Sequence, residues 1–217
     1  MKCILVFLVF AFAALSACKK ECPGDPVIVE SCDTTGLVVH DSKEPSLRKY
    51  VIRNDSTALY GYATAIKSVP EKGEITWVAN NRIGNVNGVY YLGMSNYGDT
   101  AWYNLEFWAY WRDGIGVKFD PFTLGKQIVL DEQFYMTDST VSYSIYNKYH
   151  DDYKEAGWKT NTYKENYIIV NRIDFENKII EGEFDLHFIL IGQNPISSPY
   201  AENIRFRCGK FKAKIFE

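Results

Sequence analysis

The chain is poor in the residues on which most enzyme chemistry depends. Its three histidines, His40, His150 and His187, lie far apart. None is spaced as H-E-x-x-H, which would place two imidazoles on one helix face, and no Cys/His set has the spacing of a zinc site. His187 alternates with core-type residues and reads as an outward-facing strand residue rather than a ligand. "GMSNYG" sets Ser95 between Gly93 and Gly98 with one residue too many for a nucleophile elbow. "GNVNG", residues 84 to 88, lacks the Lys-Ser/Thr of a phosphate loop and reads as a hairpin turn. Asp151-Asp152 has no oxygen-rich 12-residue calcium loop around it. No catalytic residue, metal or cofactor is assigned. Basic runs are missing too: with 24 Lys and Arg against 27 Asp and Glu, the chain cannot neutralise phosphates as nucleic-acid binding requires.

Long hydrophobic runs are also scarce. The one present, Ile4 to Leu15, falls short of the roughly 20 apolar residues that span a bilayer. Preceded by Lys2 and followed by Leu15-Ser16-Ala17, it is built like a secretory signal over residues 1–17. The residues "LSAC" that end it resemble the lipobox of bacterial lipoproteins, in which a peptidase cuts before the cysteine and the sulfur carries diacylglycerol. That resemblance implies lipidation of Cys18, a tether over 18–35 rich in Pro, Gly and Asp, and attachment to the outer membrane; an ordinary signal peptide is the plainer alternative. Because two or more acyl chains make a stable anchor, the mature chain is expected on a membrane surface. Lys19 and Lys20 depart from the acidic start of surface-exported lipoproteins, which favours the periplasmic face.

Once Cys3 leaves and Cys18 is acylated, Cys22, Cys32 and Cys208 remain, an odd number. A Cys22–Cys32 loop, a Cys32–Cys208 clasp joining the start of the domain to its end, or free cysteines are all compatible with this count.

From residue 36 to 217 the pattern is one of short β-rich runs separated by Gly, Asn and Asp, with 16% aromatic residues. Strands are expected at 47–53, 58–67, 74–83, 87–95, 101–112, 115–119, 127–130 and 140–147. A hairpin follows, turning at Glu176-Asn177-Lys178, and a closing pair of strands runs through "NIRFRCGKFKAKIF". Only "DDYKEAGWK", 151–159, has the composition of a helical turn. One all-β domain follows from this, an antiparallel sandwich or partly open barrel.

The order of "ITWVANNR", "IIVNRIDFENKIIEGEFDLHF" and "RCGKFKAKIF" resembles Bacteroidota lipoproteins grouped as a domain of unknown function. The matching positions are Trp77 and Ala79, then Ile173, Asp174, Ile180, Gly182 and Phe184, then Gly209 and Phe211. This resemblance implies a membrane-tethered β fold and assigns no catalytic residue.

"AWYNLEFWAYWRDG", residues 101 to 114, is the segment best suited to hold a ligand. Read as one strand, it sends Trp102, Asn104, Glu106, Trp108, Tyr110 and Arg112 to one face and Tyr103, Leu105, Phe107, Ala109 and Trp111 to the other. The first set mixes flat rings with hydrogen-bonding groups, as a sugar or peptide-like ligand requires; packing on both faces is the plainer alternative, because aromatics are common in β structure for packing alone. Three functional classes remain. The favoured one is a non-catalytic envelope module binding a glycan or protein. The others are a glycan-acting hydrolase, for which Glu106 is the first carboxylate to consider, and a structural component of a surface assembly.

Overall fold

The computed structural model describes residues 31–37, 44–47, 61–103, 107–130, 142–150, 153–196 and 199–216; the side chains of 97–103, 107–113, 142, 143, 150 and 153 are outside that description. Cys32–Glu217 forms one compact unit. Ten strands follow a 3-10 helix, Pro45–Leu47: β1 (Gly61–Val69), β2 (Gly73–Val86), β3 (Val89–Tyr103), β4 (Phe107–Lys118), β5 (Gly125–Leu130), β6 (Ser142–His150), β7 (Tyr153–Thr160), β8 (Tyr167–Asp174), β9 (Ile179–Gln193) and β10 (Asn203–Phe216).

The protein is all-β, and its ladders close on themselves. β1 pairs with β2, β2 with β3, β3 with β4, β4 with β6, β6 with β7, β7 with β9, β9 with β10, and β10 returns to β1. All eight ladders are antiparallel, as an even-numbered ring of up-and-down strands permits. β5 and β8 widen one side of this ring, since β8 pairs with the first half of β9 and with β5, which touches the start of β6 in parallel.

Period-two alternation builds the interior. Ile75, Trp77, Ala79 and Ile83 of β2 are buried, as are Phe184, Leu186 and Phe188 of β9. On β10 the buried set changes phase, from Ile204 and Phe206 to Gly209, Phe211, Ala213 and Ile215, because the register slips between Phe206 and Gly209. That slip is a bulge: one extra residue bends the strand and redirects its side chains. Cys208 stands in it at φ 52° and is disulfide-bonded to Cys32, 176 residues earlier.

The glycines and phenylalanines at the C-terminal end form a reciprocal pair. Gly209 lies opposite Phe184, and Phe211 lies opposite Gly182. Each ring covers the bare backbone of the facing glycine, and a side chain at either glycine would collide with it.

Two expectations change. Residues 153–160 form strand β7 rather than a helical turn. Lys, Glu and Ala favour helix locally, but burying Ala156, Trp158 and Thr160 at every second position decides the outcome. The single strand expected over 101–112 is instead two: β3 ends at Tyr103, the chain reverses, and β4 begins at Phe107. Turns read from the sequence are in place at Asn87-Gly88, where both residues have positive φ, and at Asn177-Lys178 between β8 and β9.

Candidate functional site

Among the described residues, aromatic side chains cluster in the ring's interior around a buried ammonium. Tyr146 of β6 packs against Trp158 of β7 with centroids 4.9 Å apart, against Phe206 of β10 at 5.1 Å and against Phe188 of β9 at 5.8 Å. Trp77 meets Phe206 edge-on at 5.0 Å. The indole of Trp158 donates to the Ala201 carbonyl at 3.0 Å. Lys67 of β1, fully buried, points into this group. Its Nζ donates to the Tyr146 hydroxyl at 2.7 Å and stands over the Tyr146 and Phe206 rings at 5.0 and 5.5 Å. Ring faces and a hydroxyl are what a desolvated ammonium needs. A lysine nucleophile also needs space for a carbonyl substrate, and Lys67, Tyr146, Trp158 and Phe206 all have no exposed surface. This cluster therefore organises the core.

The 3-10 helix seals one end. Pro45, Ser46 and Leu47 are buried. Lys148 Nζ donates to the Pro45 carbonyl, the Ala201 amide donates to Ser46 Oγ at 3.0 Å, and Leu47 belongs to the core. Glu44 receives Lys72 from the β1–β2 turn at 2.8 Å. Burial alone would raise the Glu44 carboxyl, but the bonds from Lys72 and Ser46 outweigh it and hold its pKa below the ordinary value.

The outer faces of β9, β10 and β2 carry a charged ladder. Arg205 donates to both oxygens of Asp185, at 3.0 and 2.8 Å, and Arg207 does the same to Glu74, at 3.2 and 2.9 Å. The Arg207 bonds lower the Glu74 pKa. His187, two residues after Asp185 on β9, is half-buried, its Nδ1 3.7 Å from Asp185. Burial is the main cause lowering its pKa; Arg205 adds to this while Asp185 opposes it. Among the described residues no group of three His, Cys, Asp or Glu side chains could hold a metal ion.

A cleft of about 450 Å³ opens at the sealed end of the ring, between the start of β7 and the end of β9. It is lined by Lys154, Glu155, Ala156 and the run from Ile191 to Pro195. Its floor is tied by the Asn194 amide donating to the Glu155 carbonyl at 2.6 Å. Glycoside hydrolysis uses two facing carboxyl groups about 5–10 Å apart; among the described residues that line the cleft Glu155 is the one carboxylate.

Of the residues singled out for ligand binding, Asn104 and Glu106 lie outside the described residues, as does Cys18. Trp102, Trp108, Tyr110 and Arg112 are described in backbone alone. Trp102 is the direct cross-strand partner of Trp108, Thr100 of Tyr110 and Tyr97 of Arg112. Their hairpin turns at the same end of the ring as the cleft, because Trp111 pairs with His150, His150 with Tyr153, and Ala156 with Gln193. The sequence carries no sign of the cleft: its residues come from the ends of two strands that only the ladder between β7 and β9 brings together, and the composition of the β7 half suits a helical turn. No family model, curated protein or solved structure matches the chain.

Proposed function

We propose that the protein is a lipid-anchored lipoprotein of a bacterial outer membrane, of the Bacteroidota type its motifs resemble, and that its β domain is a non-catalytic module binding an envelope glycan or protein segment. Eight-stranded rings either fill with side chains or hold one small ligand. Here the close packing of the described interior side chains directs binding to the outside, and the observation that carries the reading is the coincidence at one end of the ring of the Lys154–Pro195 cleft and the β3–β4 hairpin that pairs Trp102 with Trp108. Among the described residues that line the cleft Glu155 is the one carboxylate, which favours binding over hydrolysis.

The test is to titrate a panel of soluble envelope oligosaccharides and peptide stems into the wild-type chain and into Trp108→Ala and Lys154→Ala variants. Weakening by about tenfold, the loss of one aromatic contact, with an unchanged melting temperature supports the reading. Turnover of any oligosaccharide, or no binding by the parent chain, overturns it. Separately, Cys18→Ser should abolish acyl-lipid labelling; continued labelling removes the anchor assignment.

A further inference from the structure

At the end of the ring opposite the cleft, three turns carry large apolar side chains into solvent. Val86 at the β2–β3 turn is 59% exposed, Phe122 and Leu124 between β4 and β5 are 44% and 62% exposed, and Phe175 between β8 and β9 is 72% exposed. These tips belong to one surface. Phe122 stacks on Phe175 with ring planes 7° apart and centroids at 6.4 Å, and Tyr90 meets Phe122 edge-on at 5.1 Å. On β5 the apolar character continues upward through exposed Ile128 and Leu130.

A strand face turned to water should be polar, and contiguous exposed apolar surface marks a site of contact. The turns beneath these rings are internally satisfied. Asp120 accepts from the Phe122 amide at 2.9 Å and from the Thr123 hydroxyl at 2.7 Å, and Gln127 Nε2 donates to the Asp120 carbonyl at 2.6 Å. Asp174 accepts from the Asn177 backbone and side-chain nitrogens at 3.0 and 2.9 Å. Paired groups cost less to bring into a region of low water content.

We infer that this rim is a membrane-contact surface, with Phe122, Leu124 and Phe175 entering the interfacial layer of the bilayer to which the chain is tethered. The inference rests on the anchor reading above for its occupant. From Cys18 to Cys32 is 14 residues, a reach of about 45 Å when extended. Cys32 is fixed to Cys208, eight residues before the rim end of β10, roughly 26 Å of strand. The tether is therefore long enough to let the rim rest on the lipid. With Asp120, Asp174 and Glu176 offset by Lys126 and Lys178 at the same end, the rim carries no cluster of positive charge, and the contact is apolar rather than coulombic. It should hold on neutral lipid and survive salt.

The experiment uses the mature chain from residue 18 carrying Cys18→Ser, which retains the whole domain without acyl chains, in co-flotation with phosphatidylcholine vesicles. The parent should float, equally at 0.05 and about 0.5 M salt. Phe175→Ser and Leu124→Ser, both at exposed turn positions, should each reduce vesicle partitioning by about tenfold while leaving the melting temperature unchanged; Ile196→Ser, an exposed residue beyond the end of β9, should not reduce it. Failure of the parent to float, or equal flotation of all three variants, overturns the rim assignment. Binding seen with anionic vesicles alone and lost in salt overturns it as well. Acyl labelling of Cys18 in cells reports on the anchor independently, so either assignment can fail without the other.

Discussion

The reciprocal Gly–Phe pairing of β9 and β10 makes a quantitative prediction. A Cβ built on Gly182 falls onto the Ile169 carbonyl oxygen and within 2.6 Å of two Phe211 ring carbons; one built on Gly209 falls within 2.5 Å of the Phe184 ring. Alanine in a strand interior is worth about 0.5–1 kcal/mol over glycine through reduced chain entropy, whereas overpacking a tight core costs about 1–3 kcal/mol. At Gly209 the obstacle is a ring that can shift only within a full core, so Gly209→Ala should lose about 1–2 kcal/mol net. At Gly182 the obstacle includes backbone, which cannot swing aside, and the loss should reach about 3 kcal/mol or more. For a domain of this size each kcal/mol moves Tm by about 2–4 °C, so the two variants should melt roughly 2–8 °C and at least about 6 °C below the parent. Gly93→Ala is the control, since nothing lies within 4 Å of its added Cβ; it should be neutral or gain up to about 1 kcal/mol. Shrinking the ring in Gly209→Ala/Phe184→Leu should recover part of the loss, with a coupling of about 1 kcal/mol in a double-mutant cycle. Chemical denaturation of these variants, and of Phe184→Leu alone to complete the cycle, gives all the values. If Gly182→Ala and Gly209→Ala both unfold at the parent's midpoint, the ring-over-glycine contact does not limit packing and the argument fails.

Other consequences can be measured in the same way. Breaking the Cys32–Cys208 bond by Cys32→Ser should cost about 2–5 kcal/mol, the upper figure reflecting the long loop it closes; a denaturation midpoint insensitive to reducing agent contradicts this. Tyr146→Phe removes the hydroxyl that receives Lys67 at 2.7 Å and should cost about 1–3 kcal/mol, whereas Lys67→Met, which exchanges a buried ammonium for an apolar chain of similar length, should cost less or stabilise; the reverse order would mean that the ammonium itself holds the core together. Because Glu44, Glu74 and Asp174 have lowered pKa values in the folded chain, their contribution is complete above about pH 4.5 and is lost as pH falls through the folded values. His187, lowered from 6.5, adds a loss that begins as pH drops below that value, because the unfolded chain takes up the proton first. His187→Gln should therefore flatten the stability profile as pH falls below about 6.5, and an unchanged slope there would show that the imidazole is not desolvated as described.

What could be read in the sequence follows from what is local. Alternation in "IIEGEFDLHF" places Phe184, Leu186 and Phe188 together because side-chain direction is a property of one strand, and Asn87-Gly88 marks a turn because positive φ is a property of single residues. Closure is different in kind. Nothing within β1 or β10 specifies that Ala63 faces Phe211, since that partner is chosen by twist and shear summed over the whole ring. The aromatic run 101–112 shows the limit most plainly: every residue in it is compatible with a strand, so composition could not reveal the reversal between Tyr103 and Phe107. Gly182 and Gly209 were visible as motif positions, but their purpose became apparent only when the ladder set each against the other's phenylalanine.

The pairing of the first strand with the last constrains how this chain can fold. During synthesis β1 gains β2 on one edge as soon as the next strand emerges, while its other partner, Asn203–Phe216, emerges after the nine other strands. Until then the growing sheet has an open seam, and contacts between segments roughly 140 residues apart arrive late and slowly. A chain stopped short of Asn203 would keep two bare strand edges, those of β1 and β9, each able to recruit a strand from a neighbour. The completed ring removes both edges at once, so the domain should lose its tendency to aggregate as Asn203–Phe216 is added, a threshold that serial truncations within this strand would locate.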